Sequence, residues 1–203
     1  MLANDPLAQV LYIDLSRRSF AIKSRPELFE AGLGGSGVGI RLLEEECPPG
    51  TEPLSAGNPI ILAVGPLTGL FPLASKTVAM FKSPHTGNLG ESHAGGRSAI
   101  AIRMAGYGAI VVRGASTSPV YVVVEGQQVH FRDARALWGT RSAYTTGSVL
   151  REREKGAGVR SIMRIGRAGE VGVSYASVII ETYRHFGRLG LGAVFGSKKL
   201  KGL

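Results

Sequence analysis

A single cysteine, Cys47, is the whole thiol inventory of this sequence. One thiol closes no intramolecular disulfide, and it cannot build a zinc site or an iron–sulfur cluster from within the chain, so any metal here needs other donors. Long apolar runs are missing too: stretches such as Ala109–Val112 and Val120–Val124 fall far short of the roughly 20 residues a membrane-spanning helix requires. The N-terminus, MLANDPLAQVLYIDLSRRS, has no basic segment followed by an apolar one, and the expectation is a soluble cytoplasmic protein. The four histidines, His85, His93, His130 and His185, show no metal-ligand spacing. No serine sits in a nucleophile elbow, and Cys47 lies beside two prolines with no cue to a base, so nothing nominates a catalytic nucleophile.

What the sequence does have is glycine, 29 in 203 residues. The glycines cluster at 32–39, 87–96, 106–114 and 187–196 without a repeat, which reads as tight turns and close backbone approaches, the kind of backbone that surrounds a ligand. With 44% hydrophobic residues the chain can build a core, and no repeat or linker divides it, so residues 1–203 read as one domain. A net charge of +9 predicts attraction to anions without choosing among nucleic acid, an acidic protein and a phosphorylated cofactor. The basic run Lys198-Lys199-Leu200-Lys201 is the strongest pointer to nucleic acid, and the lack of an aromatic platform argues against it.

Alternating apolar and polar residues predict a hairpin from Val10–Leu15 and Phe20–Lys23, then helices over Pro26–Ala31 and Gly37–Glu46, the second stopped by Cys47-Pro48-Pro49-Gly50. Strands follow at Pro59–Val64, Thr77–Phe81 and Ala109–Arg113, whereas Arg97–Met104 suits helix or strand. A hairpin over Pro119–Glu125 and Gln128–Arg132, a polar helix over Thr140–Glu154, and strands at Val159–Ile165 and Ser174–Ile180 complete the pattern. About nine strands and three or four helices, in irregular alternation, predict an α+β fold with largely antiparallel sheets. Gly32–Gly37 fits the dinucleotide pattern G-x-G-x-x-G, but no strand leads into it, and Gly192–Lys198 has the wrong spacer for a phosphate loop.

Longer strings carry more weight. GGSGVGIRLL (34–43), PPGTEPL (48–54), GPLTG (65–69), KSPHTG (82–87), ESHAGG (91–96), AGYGAI (105–110), Trp138-Gly139, IGRAGE (165–170) and GRLGLGAVFGSKKL (187–200) together resemble the N-terminal, pterin-binding domain of the tungsten-containing aldehyde:ferredoxin oxidoreductase family, in order and at its spacing. The resemblance implies two stacked, twisted, largely antiparallel sheets with a few peripheral helices. On them would lie a tungsten or molybdenum bis-pyranopterin whose phosphates meet at a magnesium ion.

Carried over by position, Lys76 stands where the family commonly has an arginine near the metal; it keeps the charge and loses the planar fork. His93 and His185 stand where main-chain carbonyls meet magnesium, and backbone ligation tolerates the side-chain change. Arg184 and Arg188 match arginines beside the pterin phosphates, with Gly187, Gly190 and Gly192 as the adjacent loop, and Lys82, Ala94, Gly95 and Gly96 belong to the same floor. The family's cluster cysteines, upper pterin-gripping motifs and substrate-pocket residues have no counterpart in this sequence. The resemblance therefore implies a cofactor carrier, chaperone, storage protein or cofactor-holding subunit without an iron–sulfur cluster, working with a protein partner or as a homodimer and not catalytic alone. The alternatives are a cofactor-free interaction scaffold and a basic nucleic-acid binder.

Overall fold

A computed structural model describes residues 6–203. Two six-stranded sheets share one hydrophobic core. In the first, β1 (Gln9–Asp14) and β2 (Ser19–Ser24) form the opening hairpin, β3 (Ile60–Val64), β4 (Thr77–Lys82) and β5 (Leu89–Ala94) a meander, and β6 (Ala109–Arg113) joins them, in the order β2-β1-β6-β3-β4-β5. In the second, β7 (Val120–Glu125), β8 (Gln128–Asp133), β9 (Met163–Arg164), β10 (Val178–Ile180), β11 (Arg184–Phe186) and β12 (Leu200–Gly202) follow the order β11-β10-β9-β12-β7-β8. Each sheet holds one parallel pair, β1 with β6 and β12 with β7; every other pairing is antiparallel. The α+β architecture is as expected.

Burial follows the side-chain pattern. All five residues of β3 are buried, as a continuous apolar run requires of a strand covered on both faces. One cover is helix α2 (Gly35–Glu46), which buries Val38 and Leu42; it comes so close that a Cβ on Gly39 would sit 2.8 Å from Met80 Cγ. The preceding helix α1 (Pro26–Gly32) buries Leu28 and Phe29 and ends with Leu33 in the left-handed region. The G-x-G-x-x-G string thus joins two helices and follows no strand, in line with the rejection of a dinucleotide site.

The ambiguous segment resolves as helix α3 (Ser98–Met104), and α4 (Ala143–Arg153) starts on Ser142, whose hydroxyl accepts the Tyr144 and Thr145 amides at 3.2 and 3.4 Å. Among the described residues twelve strands and six α-helices exceed the expected number, because β5, β11, β12, α5 (Arg167–Glu170) and α6 (Leu191–Ser197) lie in segments that read as polar or glycine-rich loops. The expected strands Val159–Ile165 and Ser174–Ile180 shrink to Met163–Arg164 and Val178–Ile180. No helix among the described residues is long and apolar enough to cross a membrane.

The basic run at 198–201 is a correction. Lys198 and Lys201 are fully buried. Lys198 Nζ donates to the carbonyls of Gly114 (2.8 Å) and Ala56 (3.2 Å), and Lys201 pairs with the buried carboxylate of Glu170, whose other oxygen accepts the Gly139 amide at 2.9 Å. Only Lys199 is exposed, and its ammonium caps the Thr117 carbonyl at 2.7 Å. These lysines hold the end of the chain in the core, so the run offers no charged tract to nucleic acid.

Candidate cofactor face at the seam of two sheets

The edge strand of each sheet packs beside the other. β5 closes one end of the first sheet and β11 one end of the second. The Arg188 amide donates to Ser92 Oγ at 3.3 Å, and the Arg184 side chain runs so close to Gly96 that a Cβ there would meet its Cγ at 3.3 Å. Gly96 has φ of 100°, open to glycine and strained for other residues. Inward-facing Ser92 and Ala94 are buried, while His93, Arg184, His185, Gly187 and Arg188 are exposed along the seam.

β4 supplies the third line. Thr77 pairs with Ala94, so Lys76, one step further, stands at the Gly95 end, exposed. A Cβ on Gly95 or Gly187 would meet nothing within 4 Å, so bare backbone faces open space at both points. Among the described residues none of Lys76, Arg184 and Arg188 is ion-paired, while Arg97 and Arg151 share the one carboxylate of Glu181 at 2.8 and 2.7 Å. Three unpaired cations beside exposed glycine backbone fit a polyanionic ligand.

Other predicted site residues fall elsewhere. Lys82 pairs across from Leu89, at the far end of β4 and roughly 20 Å along the strand from Lys76. Gly190 and Gly192 are buried: a Cβ on Gly190 would run into the Ser174 carbonyl, and one on Gly192 would lie 2.5 Å from that of Ser177. Their immediate role is to let the start of α6 pack against residues 174–177, where the Gly192 amide donates to Ala176 O at 2.8 Å. The structure also brings in residues absent from the expected set. Glu91 lies on the outer face of β5 next to His93, bonded to His93 Nε2 at 2.8 Å and to Ser36 Oγ at 2.6 Å. These bonds, the serine's first, hold the Glu91 carboxyl below its ordinary range. The available signal was the i, i+2 spacing of Glu91 and His93, which shares a face only if the segment is a strand.

Residues 10–203 match the family profile described as the N-terminal domain of aldehyde ferredoxin oxidoreductase. The chain belongs to this family. The tungsten-containing aldehyde ferredoxin oxidoreductases of Pyrococcus furiosus and Thermococcus kodakarensis are 38% and 39% identical to it, each over 87% of this chain and 29% of the relative. The WOR-like subunit of an aliphatic sulfonate oxidoreductase from Pyrococcus furiosus is 31% identical over 95% of this chain and 33% of its own length. Among solved structures, the active-site complex BamBC of benzoyl coenzyme A reductase with 1,5-dienoyl-CoA superposes with a TM-score of 0.89 at 33% identity, over 98% of this chain and 30% of that one. The chain thus spans about a third of the length of these aldehyde ferredoxin oxidoreductase relatives.

Proposed function

We propose that this chain is a metallopterin-binding module: a carrier, chaperone, storage protein or cofactor-holding subunit for an aldehyde:ferredoxin oxidoreductase-type enzyme. One observation carries the reading: the unpaired cations Lys76, Arg184 and Arg188 lie beside the bare backbone of Gly95 and Gly187 on one open seam. Family membership and relatives named for tungsten support a tungsten (or molybdenum) bis-pyranopterin as the anion. Arg184 and Arg188 would neutralise its phosphates, Lys76 would add positive charge near the metal, and the main-chain carbonyls of His93 and His185 would be the donors to magnesium. The cofactor, when bound, supplies the redox-active metal; this chain supplies charge neutralisation and position.

A ligand lying on an open seam has a second face to cover. The β3–β4 loop that leads to Lys76 exposes Leu67, Leu70, Phe71 and Leu73, the last 97% accessible, which supports a protein partner or a second copy against this side. Anaerobic purification with tungsten and molybdenum analysis, before and after reconstitution with cofactor, tests the reading, and only trace metal in both removes it. Arg184→Glu is expected to lower loading at least about tenfold, the cost of one reversed charge against a phosphate. Unchanged loading favours the cofactor-free scaffold.

A further inference from the structure

The main hydrophobic core and the smaller cluster around Tyr121 and Leu150 do not close on each other. Between them opens a cleft of about 410 Å³, within the roughly 300–1,000 Å³ of small-molecule sites. One wall is α3, through Ala101, Ile102 and Ala105, and the other is β7 with Leu150 of α4. None of the described seam residues lines it. The third side is a strap, residues 155–160 (KGAGVR), that leaves the end of α4 and is tied back to it: Arg160 Nη1 donates to the carbonyls of Glu154 at 2.7 Å and Arg151 at 3.4 Å. Gly156, Ala157 and Gly158 carry almost no side chain, and a Cβ on Gly158 would meet nothing within 4 Å, so backbone borders the opening without filling it. Apolar side chains stand exposed on both sides of the rim, Met104 at the end of α3 and Val159 in the strap.

The charges at the rim differ in what they have left to offer. Glu154 is engaged by the Tyr121 hydroxyl at 2.6 Å and lies 3.8 Å from the Arg132 guanidinium. Among the described residues neither Lys155 nor Arg160 has an ion-pair partner, since Arg160 is bonded to carbonyls alone. Glu125, at the β7–β8 turn, is the one lining side-chain carboxylate not so engaged, which leaves two cations on the strap against it. An apolar hollow with surplus positive charge at one lip suits a molecule with a hydrocarbon body and a single anionic head. We propose that this cleft is a second ligand site, taking a small amphipathic carboxylic acid whose body lies between α3 and β7 and whose carboxylate meets Lys155 and Arg160. The site goes beyond the metallopterin reading and does not depend on it.

Isothermal titration calorimetry of the full chain with octanoate tests the assignment, with butanoate as the same head on a short body and octylammonium as the same body under the opposite charge. Octanoate is expected to bind at least about a hundredfold tighter than butanoate, which buries four fewer methylenes. It is also expected to bind at least about tenfold tighter than octylammonium. Ala101→Phe fills the cleft from the α3 wall and weakens octanoate at least about tenfold by removing that burial. Lys155→Glu, a change in an exposed strap, lowers octanoate affinity about fivefold and narrows its advantage over octylammonium. Circular dichroism and thermal melting establish that the variants fold. No saturable octanoate binding by about 1 mM, or octylammonium binding as tightly as octanoate, overturns the proposal. So does unchanged octanoate affinity in a folded Ala101→Phe variant, which puts the acid on the seam or on the exposed β3–β4 loop. If Ala101→Phe does not fold, an unchanged octanoate-to-octylammonium ratio in Lys155→Glu decides against the site. Metal loading enters none of these measurements, so this proposal and the metallopterin reading fail separately.

Discussion

Lys198 shows how far one side chain departs from what its place in a basic run suggests. Burial lowers its pKa to about 8, because the ammonium loses water and gains only two carbonyls. The unfolded chain then binds more protons than the folded one between about pH 8 and 10.5, so this residue makes stability rise with pH across that window and is neutral to pH below it. Relative to Lys198→Met, the wild type is expected to gain about 2 kcal/mol between about pH 7.5 and about pH 10, read by urea denaturation at each pH. A flat difference would mean an unperturbed ammonium. Lys201 has a true counter-charge. Glu170→Gln leaves that lysine unpaired in the core and is expected to cost about 3–5 kcal/mol, while the double change Glu170→Leu/Lys201→Met recovers most of the loss. None of this could be read from KKLK, since the same letters describe a solvated patch; Arg184 and Arg188, equally plain in sequence, are the ones left exposed and unpaired.

Elements built on hydrophobic alternation were legible, and those built on close approach were not. β1, β2, β3, β6, β7 and β8 fall where apolar periodicity places them. β5, with the sequence LGESHA, has little strand propensity of its own and is held extended by six register pairs with β4, an interaction no local pattern displays. The site suffers for the same reason: His93 and the glycines were identified as individual positions, but Glu91 joins them only once β5 is known to be a strand. Helix α6 reads as a glycine-rich loop, yet Leu191–Gly196 are all buried, and Gly196 faces the Gly169 carbonyl of α5 with no space for a Cβ. Gly196→Ala is therefore expected to destabilise by about 1–3 kcal/mol or more, whereas Gly50→Ala, which meets nothing within 4 Å, loses only what its left-handed φ of 78° demands. Thermal denaturation of the two variants side by side measures the difference.

For the molecule as a whole, part of the +9 is consumed in the fold, as at Lys198, and part is left exposed, on the seam among other places. Pyrophosphate at ten times its dissociation constant is expected to stabilise by about 1.4 kcal/mol and raise the melting temperature by about 3–5 °C over chloride at equal ionic strength. The combined change Arg184→Ala/Arg188→Ala should abolish that increment, and persistence of the full shift would place the anion elsewhere. The seam has another consequence, for self-association. A sheet edge is a template for another strand, and here two edges, β5 and β11, cover each other where the candidate site is formed, leaving β2 and β8 at the outer margins. Those margins carry their own deterrents, Lys23 on β2 and Arg132-Asp133 at the end of β8. A lesion that parts the seam, such as a bulky residue at Gly96, would therefore cost the protein its ligand and at once bare two adhesive edges, so that loss of binding and onset of aggregation come as a single event.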